Sequence, residues 1–297
     1  MAPIVIRVPT INDSHQDFEQ LFSFWSRTNG YFEEVVFDFS GCFFLRPNAV
    51  AFLGGLARLI KSRMGTAVFD WSTLRNKAVM MNLRQNGFAG VFGDPTPRWS
   101  GNSIPYREDG TLEQDGIMDY LTLYWLGRGW VQVSLRLRNA IAGRMWEIYN
   151  NAFEHAGSQI GVFSCGQYFQ HRNELVLSVI DFGQGIAANV RNYLSIDPRA
   201  AQLSSAACLQ WAFQRGTTTR PNGTPRGVGL DLLKEFIGVN HGKLEVYSNE
   251  GYGLVDQTGE RFESGSVLFE GTAFQITLRC DENYYQFANE ASNNLPL

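Results

Sequence analysis

The feature that most restricts the fold is the apolar run Leu175 to Ile180 (LVLSVI), which passes directly into Asp181-Phe-Gly183-Gln-Gly185. A short apolar run bounded by turn residues reads as a buried strand. The strand sets Asp181 at its end. The two glycines then let the backbone turn tightly and approach a ligand closely. Asp and Gly after a strand also mark an ordinary turn, so the weight of this motif depends on its surroundings.

Three further motifs surround it. Upstream, a long helix is predicted from about Val133 to Ala156, carrying Glu147-Ile-Tyr-Asn150-Asn151-Ala-Phe-Glu154-His155. Positions 147, 151 and 155 are one turn apart and share a face. An Asn amide oxygen suits Mg²⁺, which keeps most of its waters, and a carboxylate one turn away can orient or deprotonate water. The same pattern suits a solvated helix face. Downstream, Arg226-Gly227-Val228-Gly229-Leu230 opens a helix, LDLLKEF. Glycines there expose unpaired N–H groups at the positive end of the helix dipole, which is a phosphate cradle. No Gly-Lys-Ser/Thr follows, so this is not a Walker A loop, and such glycines also serve as plain connections. Last, Gly271-Thr272 begins an alternating strand that runs to Leu278.

In this order and spacing the four motifs resemble the GHKL superfamily of gyrase B subunits, heat-shock chaperones, histidine kinases and MutL proteins. Glu147 to His155 is similar to the N box, Asp181 to Gly185 to the first glycine box, Gly227 to Gly229 to the second, and Gly271-Thr272 to the terminal strand. GVGLDLLKEFIGVNHGKLEVYSNEG is closest to the histidine-kinase form. The resemblance covers about 135–278 and implies ATP and Mg²⁺ as cofactors. It gives Asn151 the Mg²⁺, Glu147 the attacking water, and Asp181 the adenine amino group with Thr272 in support. Gly183 and Gly185 would shape the adenine pocket. Gly227, Val228, Gly229 and Leu230 would wrap the phosphates. The segment from Ile186 to Arg226 would form a mobile lid. His155, Thr218, Thr219, Arg220 and Arg226 would lie near the phosphates.

The first 93 residues alternate strand and helix signals and predict a small α/β unit. Within it, VVFDFSGCFFLRPNAVAFLGGLARLIKSRMGTAVF resembles a STAS domain, the fold of anti-sigma-factor antagonists. Those antagonists carry a phosphorylatable Ser or Thr where this chain has Arg46-Pro47-Asn48, so a docking role is expected. None of the four histidines sits in an acceptor-helix pattern, and autophosphorylation is not expected. After the last strand only DENYYQFANEASNNLPL follows. A lysine from a further domain is therefore not expected at the terminal phosphate. Arg220, Arg226 or a partner is expected there instead.

The expected fold is α/β and α+β: a STAS-like unit (1–93), a Pro-, Gly- and Ser-rich linker (94–117), and a GHKL unit (118–297). The latter is a Bergerat-fold sandwich of a mixed, mostly antiparallel sheet with helices on one face. A net charge of -4 gives no electrostatic reason for nucleic acid. Four scattered cysteines suggest neither zinc nor disulfides and fit a reducing cytosol. No signal peptide or membrane-spanning stretch is read, so a cytoplasmic protein is expected. The function expected is a slowly hydrolysing, ATP-driven switch in bacterial signalling, read by a protein partner, itself STAS-like in one version. The alternatives are a Ser/Thr kinase of anti-sigma type and a non-catalytic interaction module, which intact Glu147 and Asn151 disfavour.

Overall fold

The computed structural model describes residues 2–154, 157–214 and 229–291. The described residues form a mixed α/β structure with two main sheets and one short two-stranded pairing. The smaller sheet is parallel, in the order β1 (Ile4–Arg7), β2 (Glu34–Asp38), β3 (Thr66–Asp70). Its crossover helices are α1 (His15–Arg27) and α2 (Pro47–Ser62). Ser14 caps α1, and Asp17 completes a capping box with it. Pro47 occupies the first turn of α2, where its missing N–H costs nothing. Two further helices, α3 (Lys77–Gln85) and α4 (Phe88–Val91), complete this part.

The larger sheet is antiparallel, in the order β4 (Ser103–Asp109), β6 (Val162–Phe169), β7 (Glu174–Asp181), β9 (Gly259–Arg279), β8 (Lys243–Asp256). Helices α5 (Gln114–Asp119), α6 (Leu135–Glu154) and α9 (Gly229–Asn240) cover one face. There Ile141, Met145, Ile148 and Leu233 meet Leu175, Leu177, Val179, Val246 and Ile276. A short β5 (Gln132–Val133) pairs with β10 (Tyr284–Tyr285) beyond the sheet, and α10 (Ala288–Ala291) follows.

The other face of this sheet is not bare. Helices α1 and α2 lie on it, so they are sandwiched between the two sheets. Phe22 stacks on Phe269 at 4.7 Å, and Phe18 on Tyr247 at 4.1 Å. This explains why α2 is apolar around almost its whole circumference: both sides of it are core. Arg46, at the start of α2, is buried between Asp13 (3.1 Å) and Glu174 (3.6 Å), with the Phe169 ring 4.1 Å from its guanidinium.

Several expectations need correction. The larger sheet is covered on both faces rather than one, because the N-terminal helices supply the second layer. Its pairings among the described residues are all antiparallel rather than mixed. The stretch 94–117 contributes β4 and the start of α5. Ile104 and Tyr106 enter the cores on opposite faces of the sheet across a register shift, with Pro105 between them, so the sequence shows no simple alternation here. Strands β8 and β9 are far longer than expected and form a hairpin that outruns the sheet. No described helix is long and apolar enough to cross a membrane.

Candidate functional site

One row of residues crosses all five strands of the larger sheet. Asp109 opposes Val162, Val162 opposes Asp181, Asp181 opposes Thr272, and Thr272 opposes Ser248. Directly opposed residues on antiparallel strands project to the same face. Asp181 has the parity of Leu175, Leu177 and Val179, so the row lies on the face covered by α6 and α9. All five residues are buried.

The Asp181 carboxylate accepts from the Gly183 N–H at 2.9 Å and interacts with the Thr272 hydroxyl and N–H. Burial nevertheless dominates and pushes its pKa up to about 7. Gly271 has φ 151, and a side chain there would strike the Asp181 carbonyl and the Phe269 ring. Only glycine lets the two strands meet so closely at this point.

The loop after Asp181 is held from β8. Ser248 Oγ accepts from the Ile186 N–H at 2.7 Å and donates to the Gly271 carbonyl at 2.9 Å. Asn249 donates from Nδ2 to the Gln184 carbonyl at 3.0 Å and accepts from the Ala188 N–H at 3.2 Å. Gly185, at φ 81, brings its backbone against the Asn249 amide. Ser248 and Asn249 were not singled out from the sequence. Their signal was present: a Ser-Asn pair that ends the buried run of β8.

Glu147 and Asn151 lie on α6, over the same face of the sheet. Asn151 is exposed. Glu147 is half-buried and accepts from Arg144 Nη1 at 2.8 Å. Neighbouring Asn150 is buried and donates to Glu154 at 2.8 Å. Gly229 and Leu230 begin α9, as expected of a glycine-opened helix. His155, Thr218, Thr219, Arg220, Arg226, Gly227 and Val228 lie outside the described residues.

The stretch expected to be a mobile lid, 186–226, is described up to 214, and that part is helical and packed. Helices α7 (Ile186–Tyr193) and α8 (Ser205–Ala212) share a small core of Ala187, Val190 and Cys208. Ser205 donates to Glu250 at 2.7 Å, and Leu209 fills the space beside Gly251 on the long hairpin. Lys234 of α9 donates to the Phe213 carbonyl at 2.6 Å and pairs with Glu260 at 2.8 Å. A helix from Ala200 to Gln214 is legible in the sequence and overlaps α8, whereas α7 falls in a stretch that reads as irregular.

A cavity of about 430 Å³ lies elsewhere, between Phe43, Phe44, Met81, Trp99 and the amides of Gln85 and Asn102. None of the row residues lines it. All four cysteine thiols are free and buried. The sequence matches no protein-family model and none of the curated proteins.

Proposed function

We propose that the chain binds an adenine nucleotide with Mg²⁺ on the α6 and α9 face of its larger sheet, and that it hydrolyses ATP slowly to switch a protein partner. The observation that carries the reading is the buried Asp181–Thr272 pair at the mouth of a glycine turn. The Gly183 N–H and Thr272 satisfy the Asp181 carboxylate only in part, and burial still penalises its charge, so a further donor would be favourable there. An exocyclic amino group is such a donor, and the Thr272 hydroxyl can hold a ring nitrogen or a water beside it. The four-motif resemblance to GHKL proteins and to a preceding STAS-like unit supports the same reading. So does an antiparallel sheet bearing α6 and α9 on the motif side.

In this reading Asn151 would supply an oxygen to Mg²⁺, and the ion would neutralise phosphate charge. Glu147 takes the proton of the attacking water. The start of α9 at Gly229 would offer the phosphates N–H groups and the positive end of the helix dipole. Transfer to a Ser or Thr of a partner, in place of water, uses the same residues. A calorimetric titration with ATP and ADP in MgCl₂ tests the reading. Saturable binding with a requirement for Asp181 is expected, and well-folded protein that takes up neither nucleotide at millimolar concentration would overturn it.

A further inference from the structure

The residue between the acceptor and the first glycine of its turn, Phe182, does not face the nucleotide side. Its ring passes to the opposite face of the sheet and joins the core beneath α2. There it lies 5.2 Å from Phe52, 6.0 Å from Phe163 and 5.4 Å from Phe269. It also covers the backbone of α2 at Gly55, where an added methyl group would overlap the Phe182 ring most closely and the Phe163 ring to a lesser extent. The other half of the acceptor pair is anchored in the same way. Phe269 stands just before Gly271-Thr272, and its ring fills the space where a Gly271 side chain would be. It stacks on Phe22, and Trp25 meets it edge-on at 5.9 Å. Both strands that present the adenine acceptors are thus held by aromatic rings seated on α1 and α2.

Resting on the nucleotide reading above, we infer that α2 controls the acceptor loop through Gly55 and Phe182, so that the N-terminal part sets nucleotide affinity and senses occupancy. Phe182 and Gly55 are positioning residues: neither touches nucleotide, but a shift of α2 along the Phe182 ring moves the next residue back, Asp181. Packed aromatic cores pass on such shifts because they deform little. Linkage makes the effect reciprocal: if the position of α2 alters affinity, bound nucleotide must alter the freedom of α2. A partner that grips the N-terminal part then acts on the nucleotide site without reaching it.

The test is calorimetry with ADP and Mg²⁺ on wild type, Gly55→Ala, and the pair Gly55→Ala with Phe182→Leu. The methyl of Gly55→Ala displaces the ring, and affinity is expected to fall about tenfold. Leucine at 182 removes the closer overlap and leaves only a small shift for the Phe163 ring, so the double variant is expected to recover to within about threefold of wild type. A purely structural role for Gly55 gives no such rescue. Hydrogen exchange on wild-type protein needs no variant: ADP is expected to slow exchange across residues 47–62. Wild-type binding with unchanged affinity in Gly55→Ala, or with unchanged exchange across α2, overturns this inference alone. Absence of binding by the wild type overturns the nucleotide reading and the inference with it.

Discussion

The two ends of the proposed nucleotide site are built differently. At the adenine end, Asp181, Thr272 and Ser248 are buried, opposed across strands, and joined by hydrogen bonds to the turn that follows. At the phosphate end, Glu147 and Asn151 stand on the outer part of α6, one in a half-exposed ion pair and the other in solvent. The first arrangement is rigid before any ligand arrives and bears a desolvated carboxylate. The second has little to hold it until a metal and phosphates do. Under the proposed reading, the base site would be formed on folding, whereas the catalytic geometry would be assembled on binding. This contrast suits a switch whose chemistry is slow and whose base site is always ready.

The sharpest way to break the comparison is Glu147→Ala. If α6 supplies only chemistry, steady-state ATP hydrolysis falls by about 10²- to 10⁴-fold, while ADP affinity by calorimetry stays at the wild-type level. A Glu147→Ala protein that hydrolyses ATP undiminished removes this side chain from the reaction. Asp181→Asn probes the opposite end and combines two effects. Losing the charged acceptor should weaken nucleotide binding by about 1.5–3 kcal/mol. Stability should move the other way at alkaline pH. The folded pKa of Asp181, about 7, lies above its ordinary value of 3.8. Its favourable contribution is thus complete below 3.8 and is lost as pH rises through 7, a change of about 4 kcal/mol. Thermal melts at pH 5 and pH 8 should show Asp181→Asn gaining more on wild type at pH 8 than at pH 5, because about a third of the change has already occurred by pH 5. Equal gains at both values would show that the carboxylate is not the strained group. By the same sign, wild-type ATP affinity should rise with pH through 7, because the ionised carboxylate accepts the amino group.

Smaller effects refine the picture. Asn249→Ala removes its hydrogen bonds to the Gln184 carbonyl and from the Ala188 N–H, a loss of about 1–3 kcal/mol. Denaturant unfolding should reveal it, and a variant as stable as wild type would mean the turn is held without Asn249. Arg144→Met should cost least, about 0.5 kcal/mol or less, since an exposed pair within one helix contributes little. A drop of several kcal/mol would show that the phosphate end is as rigid as the adenine end and would erase the contrast.

How much of this was legible depended on whether the signal was local. LVLSVI and its following Asp-Phe-Gly-Gln-Gly carried a strand and its turn within eleven residues, and β7 and the Asp181 turn lie where the sequence put them. The helix through Glu147 and Asn151 was equally plain from its period. What the sequence did not disclose depends on distant partners. Asp181 meets Thr272 through strand register, which a single chain does not print. The second layer on the larger sheet comes from α1 and α2, whose apolar outer sides read equally well as the core of one small unit. Nothing in the sequence shows what Gly54 and Gly55 lie against. In the structure they are the places where Tyr106 and Phe182 come down on the backbone of α2. Strand β4 was masked by Pro105 in a polar stretch, and its edge position is where a proline is tolerated.

The sandwiched position of α1 and α2 has a consequence for synthesis. Glu19 of α1 accepts from Ser266 of β9, which lies 247 positions further along the chain. At about 5–20 residues per second, that interval lasts roughly 10–50 s. Throughout it, Phe18, Phe22, Trp25 and Phe52 have emerged without the strands that will cover them. A nascent chain in this state presents a sticky aromatic surface to its neighbours on a polysome, so the yield of native protein should depend on chaperone supply during translation more than on the final stability of the fold.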